Sequence, residues 1–232
     1  MDFNLQNESN QGLHESGQKE REMKETPQLA LWKGAFGNEY PKRDANALPE
    51  MELSRLRRNW GQMLGRAVSP APGSALEVGA NIGRNLVALD GLIGSLAAIE
   101  PNGACCEQMR SNPLLGGVTV HQGSSFALPY DESSVDLVFT SGVLIHIAPD
   151  DLLAATDEIV RVAHHYVLCI EYFSRTPCAV PYRDVGNEFL FKRDFGSWYM
   201  DHYPQLEIVD YGFLWSRVDS GDDLNWWLFK KH

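Results

Sequence analysis

Glu77, Gly79, Asn81 and Gly83, joined 21 residues after Gly79 by Glu100, have the types and spacing to grip a ligand with a ribose and a charged tail. Glu77 follows the apolar residues Ala75 and Leu76. Two glycines four apart come next, and then a helical pattern from Arg84 to Leu92. A buried strand, a tight glycine turn and a helix start together open the ligand crevice of an α/β nucleotide-binding fold. Gly79 is expected to leave the strand with dihedrals closed to other residues and to let a ligand touch bare backbone. Gly83 is expected to let the helix pack closely, and the free N–H groups at the helix start to attract negative charge.

Two ligand classes fit such a turn: a dinucleotide such as NAD, or S-adenosylmethionine with its methionine carboxylate. A dinucleotide turn reads G-x-G-x-x-G, and its middle glycine makes room for pyrophosphate. That position is Asn81 here, whose side chain crowds a pyrophosphate, while Glu77 suits the ammonium of a methionine tail. Glu100 ends the run Leu96-Ala97-Ala98-Ile99, and an acid at the tip of a second strand accepts hydrogen bonds from both ribose hydroxyls. Pro101 then stops the strand pairing. Ser124 and Ser125, in the run Val118–Ser125 that reads as a third strand with a turn, are placed to meet an adenine amino group.

These residues need a sheet to carry them. A fourth strand, Val135–Thr140, delivers Ser141, Gly142, Val143 and His146 to its carboxyl tip, where open α/β sheets bind ligands and where the transferred methyl group is expected. Helical periodicity runs from Asp150 to Val162. His164 and His165 are read as helix-end residues before a strand at Tyr166–Ile170, which puts Glu171 and Tyr172 at another carboxyl tip. Phe191–Tyr203 reads as a helix with Lys192, Arg193 and Asp194 in its first turns. Strands at Leu206–Trp215 and Trp226–Phe229 close the chain. The expected fold is therefore α/β: a Rossmann-like, seven-stranded, mostly parallel sheet with helices on both faces and an antiparallel last strand, a methyltransferase order and not a dehydrogenase one.

Composition narrows the partners. The chain has 232 residues and a formal net charge of −11, which weighs against a nucleic-acid partner, since such proteins carry basic stripes. No basic cluster is larger than Arg55, Arg57 and Arg58, which reads as a solvated helix face. No apolar run approaches a membrane span, and residues 1–26 read as a disordered polar tail. Cys105, Cys106, Cys169 and Cys178 form no metal-ligand pattern, so reduced thiols, no metal and a cytoplasmic location are expected.

The strings Trp32-Lys33-Gly34-Ala35-Phe36-Gly37, Leu76–Asn85, Tyr182-Arg183, Phe191-Lys192-Arg193-Asp194-Phe195-Gly196 and Asp210-Tyr211-Gly212-Phe213 resemble those of class I S-adenosylmethionine-dependent methyltransferases. More narrowly, they resemble the pseudaminic acid biosynthesis-associated methylases. Asp184 departs from the glycine expected after Tyr-Arg. The resemblance implies one domain over residues 27–232, with lid helices over about 29–67, and extends the cofactor contacts to Asn85. Trp32, Phe36 and Tyr40 recur every four residues and share one helix face. Tyr40 and Arg43 are then expected to face the cofactor, with Arg43 pairing a carboxylate.

The reaction implied is in-line attack by an oxygen or nitrogen of a small, anionic acceptor (a sugar, sugar nucleotide or nonulosonic acid relative) on the sulfonium methyl. Positioning supplies much of the rate. A hydroxyl acceptor needs a base, for which His146 is the first candidate and Glu171 the second. Phe36, Tyr172, Tyr182, Arg183, Lys192 and Arg193 are the substrate-side candidates. The rival reading is a non-catalytic cofactor-binding regulator or partner in a glycan pathway; a nicotinamide dehydrogenase is the third.

Overall fold

A computed structural model describes residues 24–41, 48–65, 69–186, 189–219 and 221–232. Arg43 and nearly all of the expected tail lie outside these residues. Three helices come first: α1 (Pro27–Lys33), α2 (Ala35–Glu39) and α3 (Glu50–Gly65). They are followed by β1 (Ser74–Val78), α4 (Arg84–Leu89), β2 (Ser95–Glu100), α5 (Gly103–Ser111), β3 (Val118–Gln122) and β4 (Val135–Ser141). Next are α6 (Leu152–Val162), β5 (Ala163–Glu171), the short strands β6 (Cys178–Ala179) and β7 (Phe191–Lys192), α7 (Phe195–His202), β8 (Leu206–Leu214) and β9 (Leu224–Lys231).

Seven strands form one sheet in the order β3-β2-β1-β4-β5-β9-β8. β1 to β5 pair in parallel, and β9 runs antiparallel between β5 and β8. The chain moves outward from β1 through β2 to β3, then returns to lay β4 on the other side of β1. That reversal opens a crevice beyond the tips of β1 and β4, where ligands of such sheets bind. The central strands are apolar because both faces are covered. Leu76, Val138, Val167 and Phe229 pack one face beneath α6 and α7, and Ala98, Phe139, Leu168 and Leu228 pack the other beneath α3 and α4. α3 is anchored there by Trp60, whose ring meets Phe139 edge-on at 4.8 Å, a contact worth roughly 0.5–1.5 kcal/mol beyond burial. Among the described residues no helix is long and apolar enough to cross a membrane.

Three local expectations are corrected. The helix expected from Phe191 begins at Phe195. Asp194 caps it by accepting from the Ser197 N–H at 3.0 Å, and Phe191 and Lys192 pair instead with Cys178 and Ala179. A helix-capping carboxylate outweighed the apolar periodicity. His164 and His165 belong to β5, not to the end of a helix. The helix carrying Trp32, Phe36 and Tyr40 is broken at Gly34, where φ −90° and ψ −158° end α1. The three rings still gather, Trp32 lying 5.3 Å from Phe36 and 5.1 Å from Tyr40 between centroids.

Candidate active site

A cavity, about 940 Å³ together with the open solvent at its mouth, lies at the crevice between the tips of β1, β2 and β4. Its floor is backbone: Val78, Gly79 and Asn81 after β1, and Ser141, Gly142 and Val143 after β4. Glu100, Pro101 and Asn102 form one wall, and Ser124, Ser125 and Phe126 another. α1 and α2 roof it with Leu29, Trp32, Gly37 and Tyr40, and His146 and Ile147 complete the lining. Of the residues expected at the site, eleven line this cavity: Tyr40, Gly79, Asn81, Glu100, Pro101, Ser124, Ser125, Ser141, Gly142, Val143 and His146.

Glu100 is its electrostatic centre. Its carboxylate is buried, accepting from the Asn81 N–H on one oxygen and the Asn102 N–H on the other, both at 2.8 Å. Each oxygen keeps a second acceptor position. Burial pushes the carboxyl up to about 7, against the pull of those two N–H donors. Asn81 holds the turn in the left-handed region at φ 51°, a conformation asparagine tolerates.

The turn itself works differently from expectation. Gly79 has φ 79°, as a tight exit from β1 requires. A Cβ there would come 2.5 Å from Val143, so the glycine makes room for a protein side chain. The N–H groups of Gly79 and Ala80 donate to the Ile99 carbonyl, that of Asn81 to Glu100, and that of Gly83 to Ala80. These donors are spent inside the fold and hold no anion. Gly83 is buried away from the cavity, where a Cβ would strike Leu115 at 2.7 Å. Glu77 and Asn85 also lie behind the floor. The Asn85 amide donates to Glu77 at 2.7 Å, and burial raises the Glu77 carboxyl to about 8. Glu77, Gly83 and Asn85 therefore shape the turn from behind and do not line the cavity.

Glu171 is corrected as well. It is buried at the tip of β5 and accepts from the N–H groups of Val143 and Leu144 at 3.0 Å and Ile145 at 3.4 Å. Burial raises its carboxyl to about 7. It ties down the loop that carries His146 and is a positioning residue, not a base. Glu171→Gln should lower the urea midpoint by an amount equivalent to about 1–3 kcal/mol, the scale of a buried donor left unpaired. An unchanged midpoint would free the loop of this anchor.

Among the described residues at this end of the cavity, His146 is a titratable side chain that can take a proton. Its Nδ1 lies 2.6 Å from the Phe189 carbonyl, which only accepts, so Nδ1 carries the hydrogen and Nε2 keeps its lone pair. Burial lowers its pKa to about 4, leaving it neutral at pH 7. The unfolded chain then binds one proton more than the folded one between about pH 4 and the ordinary 6.5. Stability from this group is full above 6.5 and is lost as pH falls toward 4. His146→Gln should flatten that part of the stability–pH curve, measured as urea midpoints from pH 7 to 4.

The substrate-side candidates separate into three groups. Tyr182 joins the rim, 4.7 Å from the His146 ring and 5.9 Å from Phe36, with the Arg183 guanidinium 5.5 Å from the Tyr40 ring. Tyr172 donates to Asp222 and carries Lys192 Nζ 4.6 Å from its ring. Arg193 stacks at 4.6 Å on Trp198, beside Asp194 and Asp201 and outside the cavity; the late start of α7 turns it there. Sequence reasoning missed Asn102 as a site residue. Its amide donates at 2.9 Å to the Trp32 carbonyl and to Asn38, fastening the roof to the wall that holds Glu100. An asparagine directly before a helix was the available signal. Phe126 carried none.

A family model described as a methyltransferase domain matches residues 75–165. The match spans β1 to the start of β5 and so includes Glu100, the Ser124–Ser125 loop and His146. Among solved structures, the fold is similar to magnesium protoporphyrin IX methyltransferase from Synechocystis PCC 6803 with bound SAM. The two are 10% identical with a TM-score of 0.61, covering 88% of this chain and 95% of that one. It is also similar to a Burkholderia thailandensis 1,6-didemethyltoxoflavin-N1-methyltransferase with bound 1,6-didemethyltoxoflavin and S-adenosylhomocysteine, at 14% identity and TM-score 0.62, covering 87% of this chain and 88% of that one. The [4+2]-cyclase SpnF shares the fold at 13% identity and TM-score 0.55, covering 75% and 80%. No curated protein matches the chain in sequence. The sheet thus has the Rossmann-like methyltransferase fold, and the cavity lies at its switch point.

Proposed function

We propose that this methyltransferase binds S-adenosylmethionine in the cavity and passes its methyl group to a small anionic acceptor entering between Tyr40, Tyr182 and His146. The observation that carries this reading is Glu100: a buried carboxylate at the tip of β2 with acceptor capacity to spare, lining the cavity at the sheet's switch point. Glu100 takes the ribose hydroxyls, and Pro101, Ser124, Ser125 and Phe126 surround the adenine. Gly79, Asn81 and Ser141 to Val143 support the methionine tail, with Tyr40 above it. The cofactor supplies an electrophilic methyl on sulfur; the protein's task is to hold a nucleophile against it and keep water out.

The aromatic roof of Trp32, Phe36, Tyr40 and Tyr182 excludes water, and Arg183 offers an anion-binding guanidinium beside it. Neutral His146, its Nε2 unprotonated, accepts the proton of an acceptor hydroxyl as the carbon–oxygen bond forms. Arg183 and the resemblance to the pseudaminic acid-associated methylases favour a sugar acid or sugar nucleotide. Arg43 belongs to the proposal as a carboxylate partner, and Lys192 and Tyr172 as a second acceptor shell.

Calorimetry with S-adenosylhomocysteine and with NAD is the first test. Binding of the former alone supports the reading, and binding of NAD alone overturns it. Radiolabelled methyl transfer to a panel of nucleotide sugars and sugar acids then separates an enzyme from a cofactor-binding regulator, which would bind without turnover.

A further inference from the structure

We propose that Asp136, His164 and His165 form a binding site for a first-row divalent metal ion of the zinc type, at the end of the sheet opposite the cofactor cavity. Adjacent residues in a strand normally point to opposite faces. The rings of His164 and His165 instead stack 3.7 Å apart with 26° between their planes. The register explains it. Val135 pairs with Ala163 but Leu137 pairs with Tyr166, so Asp136 alone faces the two histidines. Two residues opposite one make a β-bulge, a device that re-aims side chains. Here it turns both imidazoles toward one carboxylate.

That carboxylate is fixed before any ion arrives. Its Oδ2 accepts from the N–H groups of Gly73 at 2.8 Å and Ser74 at 3.1 Å. Its Oδ1 faces the histidines, 3.5 Å from His164 Nδ1 and 3.9 Å from His165 Nε2. Partial burial opposes ionisation, but hydrogen bonds from Gly73, Ser74 and His164 outweigh it and hold the carboxyl below its usual range. All three potential ligand atoms lie within 4.8 Å of one another. Around a tetrahedral zinc, ligand atoms stand about 3.3 Å apart, so separations of up to 4.8 Å close with side-chain movements of at most about 1.5 Å. Two imidazoles and a carboxylate suit zinc, cobalt, nickel or copper better than magnesium or calcium. The side chains are 26% (Asp136), 50% (His164) and 29% (His165) exposed, so an ion can enter and keep a water in its fourth position.

His164 and Glu171 sit seven residues apart on β5, roughly 23 Å along the strand, so the ion takes no part in methyl transfer. It clamps β4 to β5 and, bound only by the folded chain, stabilises it.

The test uses the untagged full chain, stripped with chelator, titrated with Zn²⁺ by calorimetry and with Co²⁺ by visible absorption, alongside thermal melts. One Zn²⁺ per chain, a raised melting temperature and a Co²⁺ ligand-field band are expected. His164→Gln and His165→Gln should each weaken binding at least about tenfold, and the double variant should abolish both the binding and the melting shift. Asp136→Asn keeps an acceptor for Gly73 and Ser74 while removing the charge. It gives a second reading should the double variant fold poorly, and at least a tenfold loss is expected there too. No Zn²⁺ binding by the wild-type chain would overturn the site and leave an Asp–His hydrogen-bonded cluster. Undiminished binding in Asp136→Asn or in the double variant would overturn it equally.

Discussion

Glu100→Gln is expected to weaken S-adenosylhomocysteine binding ten- to a hundredfold, equivalent to about 1.4–2.8 kcal/mol. The wild-type carboxylate accepts from Asn81 on one oxygen and Asn102 on the other. A glutamine offers one accepting oxygen, and its amide then faces an N–H that is itself a donor. One backbone anchor is lost together with half of the acceptor capacity offered to a ribose. The loss should appear in calorimetric affinity, and equal affinities would move the ribose away from Glu100. A pH dependence belongs to the same group. Its pKa is raised to about 7 in the empty protein, and hydroxyl donors favour the ionised form. Affinity should be full above pH 7 and fall as pH drops below it, approaching tenfold per unit, with a proton released on binding in that range. In Glu100→Gln this part of the pH dependence should be absent.

Gly37→Ala should reduce methyl transfer at least about a hundredfold while the sheet core melts within a few degrees of wild type. A Cβ at Gly37 would sit 1.7 Å from the Trp32 carbonyl oxygen and 2.7 Å from the Asn102 amide nitrogen. The first separation cannot be relieved by a rotamer, because both partners are backbone. α2 must move, and with it Trp32, Tyr40 and the Asn102 bond that fastens the roof to the wall. Leu29 is the only residue of α1 and α2 among the buried hydrophobic residues, so global stability changes little. Gly61→Ala on α3 is the control. A Cβ there meets nothing within 4 Å, and a helical glycine replaced by alanine should gain about 0.5–1 kcal/mol. Activity retained in Gly37→Ala would show that the roof need not be seated for turnover.

Much of the floor was legible because short-range chemistry writes it. A glycine forced to positive φ, an acid ending a strand and a serine pair after β3 each leave a local mark at Gly79, Glu100 and Ser124–Ser125. Glu77, Gly83, Asn85 and Glu171 carry marks of the same kind yet point elsewhere. Whether a carboxylate at a strand tip faces a ligand or a neighbouring loop depends on which N–H groups tertiary packing brings near it. For Glu171 those belong to Val143–Ile145, more than twenty residues away. Arg193 was a substrate-side candidate within Phe191–Tyr203, a segment that read as one helix. The Asp194 cap shortened that helix and turned Arg193 onto Trp198.

The sequence alone pointed to a seven-stranded, mostly parallel sheet, the glycine turn, and Glu100 and His146 as residues at strand tips beside one cavity, because periodicity and turn chemistry act between near neighbours. Tertiary structure decided which polar groups were already satisfied, how Asn102 joins roof to wall, and that a single-residue bulge turns His164 and His165 to the same side. Those outcomes depend on register and burial between segments far apart in the chain, where one residue of slippage redirects a side chain to the opposite face.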